Sequence, residues 1–178
     1  MELGKDDGNV FWMAAYAVLH LQMDLPRARD LAYRSLELNP NSAMALATAG
    51  RIEINSGNVN RALELLYRAE RLSPLEPRAW LITMGIATAC IQTRRFDECI
   101  SVCRRSLIQN PRNTMVLRML AACLVKQGRQ REAAQLVREI LAIEPQLTLT
   151  KLRARTIFVN AEFWIEYSAA LRIAGIPE

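Results

Sequence analysis

Catalysis and metal binding begin with side chains that move protons, attack or ligate, and this 178-residue chain holds few of them in workable patterns. Its four cysteines are Cys90, Cys99, Cys103 and Cys123. Cys99 and Cys103 lie four apart and share a helical face, but no CxxC pair occurs, and the single histidine, His20, is far off in sequence. That spacing predicts small buried hydrophobes, neither a zinc site nor a disulfide framework. A Ser/His/Asp or Cys/His nucleophile would have to use His20, which stands inside the most apolar segment, Val10 to Leu21. The glycine-rich phosphate cradles GxxxxGK[ST] and GxGxxG are missing. The carboxylate pairs Asp6-Asp7 and Asp97-Glu98 fall at expected helix starts, where acidic groups complement the helix dipole. The residues thus predict a non-catalytic chain with no cofactor and no metal.

Charge narrows the partner classes. Residues 1–74 hold eight Lys/Arg against nine Asp/Glu, whereas 75–155 hold fourteen against six, so the second half is strongly basic. Arginine supplies 20 of the 23 basic residues, a composition suited to bidentate pairing with carboxylates or phosphates. Direct nucleic-acid binding through this half is a weaker alternative. It would be electrostatic and salt-sensitive, because the groove positions vary in type and offer no recurring base-reading code. No apolar run approaches the ~20 residues of a membrane span. The start, Met1 to Asp7, lacks the basic n-region and apolar h-region of a secretory signal, which predicts a cytoplasmic setting.

The elements that must position these side chains emerge from an internal repeat. Pro40, Pro74, Pro111 and Pro145 each close a similar phrase, and their separations are 34, 37 and 34. Twelve residues before them stand the small residues Ala28, Ala62, Cys99 and Ala133; five before them stand Ser35, Ala69, Ser106 and the exception Ile140. Large apolar residues recur at Trp12, Leu46, Trp80 and Leu117. Gly57 and Gly128 sit where a helix must stop, and Pro26 sits where one can begin. A two-helix unit of about 34 residues with small residues at the close contacts resembles the tetratricopeptide repeat. The fold class expected is all-α, an α-α superhelix of about four hairpins (9–42, 43–76, 77–113 and 114–147) in one domain, with capping helices in 148–178. Helices are predicted at 9–22, 26–38, 43–56, 59–72, 77–93, 96–109, 114–127 and 130–143, then 148–155 and 161–174. The 37-residue gap predicts three extra residues in the helix starting near 77.

Such an array offers a face built from its first helices, able to hold a peptide or helix of a partner. Repeat register places Met13, Ala17 and His20, then Met44, Ala47, Arg51 and Asn55, then Arg78, Leu81 and Gly85, then Arg118, Ala122 and Lys126 along it. Arg51, Arg78, Arg118 and Lys126 would make it basic, suited to an acidic peptide or a chain-terminal carboxylate. The first helix is apolar nearly all round, which predicts that an upstream domain or a second copy covers it.

Three phrases carry a finer likeness. Leu38-Asn39-Pro40-Asn41-Ser42-Ala43, Arg71-Leu72-Ser73-Pro74-Leu75-Glu76-Pro77 and the ending Leu171-Arg172-Ile173-Ala174-Gly175-Ile176-Pro177-Glu178 resemble the C-terminal tetratricopeptide region of bacterial class III adenylate/guanylate cyclases and of related winged-helix regulators. The resemblance implies a regulatory or interacting arm that follows a catalytic or DNA-binding domain in a signalling protein. It brings no cyclase metal-binding carboxylate pair or purine-reading motif to these residues. The chaperone-tail clamp of some tetratricopeptide proteins is not carried over, because its full Lys/Asn/Arg set does not occur at the groove slots.

Overall fold

The computed structural model describes residues 7–73, 78–155 and 161–178. Among them every regular element is helical: α1 Gly8–Ala17, continued by a π-helical segment Val18–Gln22, then α2 Leu25–Leu38, α3 Ala43–Asn55, α4 Val59–Leu72, α5 Ala79–Gln92, α6 Phe96–Gln109, α7 Thr114–Lys126, α8 Gln130–Ile143, α9 Leu149–Arg155 and α10 Ala161–Ala174. The all-α class expected from the repeat is what the chain adopts. The chain divides into two compact units, residues 1–89 and 90–178, and the division falls within α5.

Local chemistry sets the helix starts. Asp7, Asp24, Ser42 and Asn113 each accept a hydrogen bond from a backbone N–H of the first turn they precede. Pro26 lies in the first turn of α2, where its missing N–H costs no ladder bond. The turn between paired helices needs one residue in the left-handed region, and four residues fill it: Met23 (φ 55°), Gly57 (φ 82°), Arg94 (φ 59°) and Gly128 (φ 75°). Each stands seventeen residues before its repeat proline. Glycine announces only two of them; Met23 and Arg94 take the same conformation under the constraint of the hairpin.

Small residues let the helices approach. Ala28, Ala62, Cys99 and Ala133 are fully buried, as are Ser35, Ala69 and Ile140 in the second slot, while Ser106 is half-buried. In the first unit Gly50 marks a contact tighter than alanine tolerates. A Cβ there would stand 2.7 Å from Leu66 Cγ and 3.2 Å from the Ala62 carbonyl, and one on Gly85 would stand 2.7 Å from Leu66 Cδ2. Leu66 is thus gripped between two glycines. Gly50→Ala, which in an exposed helix would stabilise by up to ~1 kcal/mol, is expected here to destabilise by about 1–3 kcal/mol through overpacking. The shift of the urea midpoint decides the sign.

The three residues of the 37-residue gap do not all enter the helix. α5 has 14 residues against 13 in α3 and in α7, so one of the three lengthens it and the others fall ahead of Ala79. Pro74, Leu75, Glu76 and Pro77, on which the repeat boundary and the predicted helix start fall, lie outside the described residues, as does Asp6.

In the second unit α10 packs on α7 and α8 and touches α9. Phe163, Tyr167, Leu171 and Ala174 bury one face of it, Glu162 and Ile173 stay exposed, and Gly175 (φ 110°) ends it. The chain then returns, so that the Pro177 carbonyl accepts the Leu149 N–H at 2.7 Å. The expected terminal cap therefore forms, and it is fastened at both ends.

Candidate functional site

The first-helix face of the first unit is built by α1, its π-helical extension and α3. Met13 is 48% exposed on α1. A π turn is wider than an α turn and re-aims the side chains it carries, and the one here carries His20. Arg51, on α3, donates from Nη2 to His20 Nε2 at 3.3 Å, which assigns the imidazole proton to Nδ1. The Tyr16 and His20 ring centroids lie 4.2 Å apart. Among the described residues, Arg51 Nε is the buried side-chain polar atom left without a hydrogen-bond partner. Asn55 stands four residues beyond Arg51, half-buried on the same helical face.

Burial first, and then the Arg51 charge, pulls His20 down from its ordinary 6.5 to about 4. Burial likewise pulls the Arg51 guanidinium below its ordinary range, and no carboxylate among the described residues opposes it. The stability consequence has a definite sign. Above pH 6.5 the imidazole is neutral in folded and unfolded chains alike; between 6.5 and 4 the unfolded chain takes a proton that the folded one refuses. Stability should therefore fall as pH falls through that window, by roughly 1–2 kcal/mol between pH 7 and 5. His20→Gln should flatten that part of the urea-midpoint profile against pH.

Not every predicted groove residue offers a free side chain: packing between helices buries some and pairs others. Met44 and Leu81 join Trp12 and Ala45 in a buried cluster, so they are core. Arg78 is exposed, and its guanidinium lies 5.1 Å from the Trp12 ring centroid as a cation–π contact. In the second unit Arg118 is only 4% exposed and pairs with Glu144 at 3.2 Å. Lys126 pairs with Glu166 of α10 at 3.1 Å. The basic character expected of the groove in this unit is thus neutralised by acids of the same unit. Ala47, Gly85 and Ala122 are buried.

A second buried charge escaped the sequence reading. Glu53 is fully buried on α3, where it accepts from Tyr33 at 2.8 Å and Asn58 at 2.7 Å and pairs with Arg29 at 3.1 Å. Its register position, 21 residues before the repeat proline, holds Leu19, Cys90 and Leu124 in the other repeats, all buried. That comparison was the available signal: a carboxylate in a slot otherwise apolar.

The four cysteines are free and buried. Cys123 and Cys99 sulfurs lie 2.7 Å apart. Hydrogen bonding to Cys99 and burial hold the Cys103 thiol well above its usual range, so it stays protonated and is a poor nucleophile. No group of three His, Cys, Asp or Glu side chains capable of holding a metal occurs among the described residues. No helix among them is long and apolar enough to cross a membrane.

Residues 47–114 match the family model described as tetratricopeptide repeat. Over 121 residues, 68% of this chain, the sequence is 29% identical to cellulose synthase operon protein C of Pseudomonas fluorescens (strain SBW25), and it spans 9% of that protein. The structure is similar to a chain of the APC/C hetero-tetramer Cut9–Hcn1, with a TM-score of 0.77 at 16% identity over 96% of this chain and 30% of that one. It is also similar to YrrB, a tetratricopeptide-repeat protein with an unusual peptide-binding site, with a TM-score of 0.64 at 17% identity over 97% of this chain and 92% of that one.

Proposed function

We propose, from the premise that this chain is a tetratricopeptide-repeat protein, that it is a non-catalytic interaction module that binds a peptide or helix of a protein partner along its first-helix face. The observation that carries this reading is the meeting of α1's extension and α3 in the first unit, where the half-buried polar residues His20 and Arg51 bond at 3.3 Å, Asn55 stands one turn beyond, and Met13 is exposed on the helix leading to His20. An apolar contact beside a few convergent polar groups is the composition that protein-binding grooves use. The finer parts of the proposal are an acidic partner, a cytoplasmic setting, which rests on the residues Met1 to Asp7, and a parent protein of the cyclase or winged-helix regulator kind, which rests on the resemblance of the Pro40, Pro74 and Pro177-Glu178 phrases. The likeness to cellulose synthase operon protein C supports the same role within a longer chain.

The apolar residues left exposed along the first hairpin, Val10, Met13, Leu21 and Met23, support a further part: an upstream domain or a second copy docks there. Light scattering across a concentration series separates these, since only a homodimer changes mass on dilution.

The experiment that tests the groove is site-specific photo-cross-linking in a lysate of the source cells. A benzophenone side chain at Asn55 should capture a partner that the same group at Arg71, exposed on α4, does not. Capture from position 71 and not from 55 would remove the groove from the reading. A pull-down comparing the unmodified array with an Arg51→Gln variant tests the acidic character of the partner, and equal recovery would sink it.

A further inference from the structure

A guanidinium withdrawn from water normally has a carboxylate beside it, because desolvating a charge without a counter-ion is costly. Arg51 has none. Among the described residues its hydrogen bond goes to the neutral His20 ring at 3.3 Å, and its Nε is buried without a partner. The carboxylate nearest in sequence, Glu53, is occupied by Tyr33, Asn58 and Arg29. The residue is half-buried, so part of it still meets solvent. Its register position, 23 residues before the repeat proline, holds Ala17, Thr88 and Ala122 in the other repeats. One repeat of four thus places a long cation where the others are short.

We infer that Arg51, held by His20, is the anchoring site for a side-chain carboxylate, Asp or Glu, of the partner segment. The inference deepens the groove reading and rests on it. Charge sets the ligand class: one guanidinium held by the His20 ring, which itself packs on Tyr16, balances one carboxylate, whereas a phosphoryl dianion would leave a negative charge in a partly dry site. Position sets the source. Asn55 lies one helical turn beyond Arg51, where its amide can bond main chain that continues past the anchor. That arrangement suits a segment passing through the groove rather than ending in it.

The chain's single histidine makes the test direct, because its imidazole gives one set of NMR resonances. The probes are N-acetyl-glutamate amide (side-chain carboxylate only), N-acetyl-alanine (chain-terminal carboxylate only), N-acetyl-glutamine amide (neutral) and inorganic phosphate. Expected are a saturable shift of the His20 resonances with N-acetyl-glutamate amide and an upward move of the His20 titration midpoint, since the bound negative charge offsets that of Arg51. The glutamine probe should give neither. Arg51→Gln should weaken the response about tenfold or more, and Arg71→Gln should leave it within about twofold. Should Arg51→Gln fail to fold, Arg51→Lys keeps the charge, loses the fork and should still weaken the response severalfold.

Equal responses to the glutamate and glutamine probes, or a response indifferent to Arg51, would overturn the anchor. A stronger response to N-acetyl-alanine or to phosphate would overturn the side-chain source or the ligand class. The two levels fail separately. Cross-linking from position 55 with probes indifferent to Arg51 removes the anchor alone, whereas a probe response with partners captured from position 71 removes the groove.

Discussion

Glu53→Ala should lower the stability of the folded chain by about 3–5 kcal/mol, the scale expected when one member of a buried charge network is removed. Three donors converge on this carboxylate from α2 and from the α3–α4 turn: Tyr33 at 2.8 Å, Asn58 at 2.7 Å and Arg29 at 3.1 Å. Arg29, 47% exposed, can return to water when the acid is lost. Tyr33 and Asn58 lose their acceptor, and the side-chain volume of a fully buried residue is emptied as well. Glu53→Gln separates these contributions. It keeps the volume and one acceptor but turns a donor toward Asn58, so about 2 kcal/mol is expected from it. Urea unfolding measures both, and a Tyr33→Phe double-mutant cycle should return a coupling of about 1 kcal/mol or more. Loss of less than 1 kcal/mol for Glu53→Ala would show that the network contributes nothing beyond its exposed pair.

The second large effect lies in the other unit. Arg118 is 4% exposed; Glu144, beyond the end of α8, reaches it at 3.2 Å. Burial pushes the Tyr167 phenol of α10 up to about 12, while the charge of Arg118 and its hydrogen bond pull the other way. The pair therefore ties the end of the α7–α8 hairpin to the capping helix. Glu144→Ala leaves a guanidinium in the interior and should cost about 3 kcal/mol. Replacing both members, Arg118→Met with Glu144→Leu, removes the stranded charge and should recover most of that loss. The same difference should appear in hydrogen exchange of α10, faster in the single variant and near normal in the double. A double variant no more stable than the single would mean that the pair's worth is its specific geometry.

Much of the fold was legible because the signals that carry it are local. The proline phrases set the phase; Asp7, the Asp97-Glu98 pair and Pro26 announce helix starts; Gly57 and Gly128 announce stops. The turns at Met23 and Arg94 were less visible, since a hairpin imposes a left-handed residue whether or not glycine is available. The extent of the helix after Pro74 was also less visible: counting gives the number of extra residues, while α5 takes up one of them.

The candidate site divides in the same way. Its location on the first helices follows from register, because helical periodicity says which residues share a face. Which of its charges are available does not follow. Each first helix touches neighbours on several sides, so the environment of a side chain depends on residues twenty to forty positions away: Glu144 for Arg118, Glu166 for Lys126, Tyr33 for Glu53, His20 for Arg51. In the sequence these arginines are alike. The amino-acid pattern determined that this protein is built of helical hairpins and which residues of each first helix share a face. Only tertiary packing decided that Arg118 would be neutralised within its own unit while Arg51 would be half-buried with no counter-ion among the described residues, because desolvation and pairing are set by contacts between helices and no periodicity within one helix encodes them.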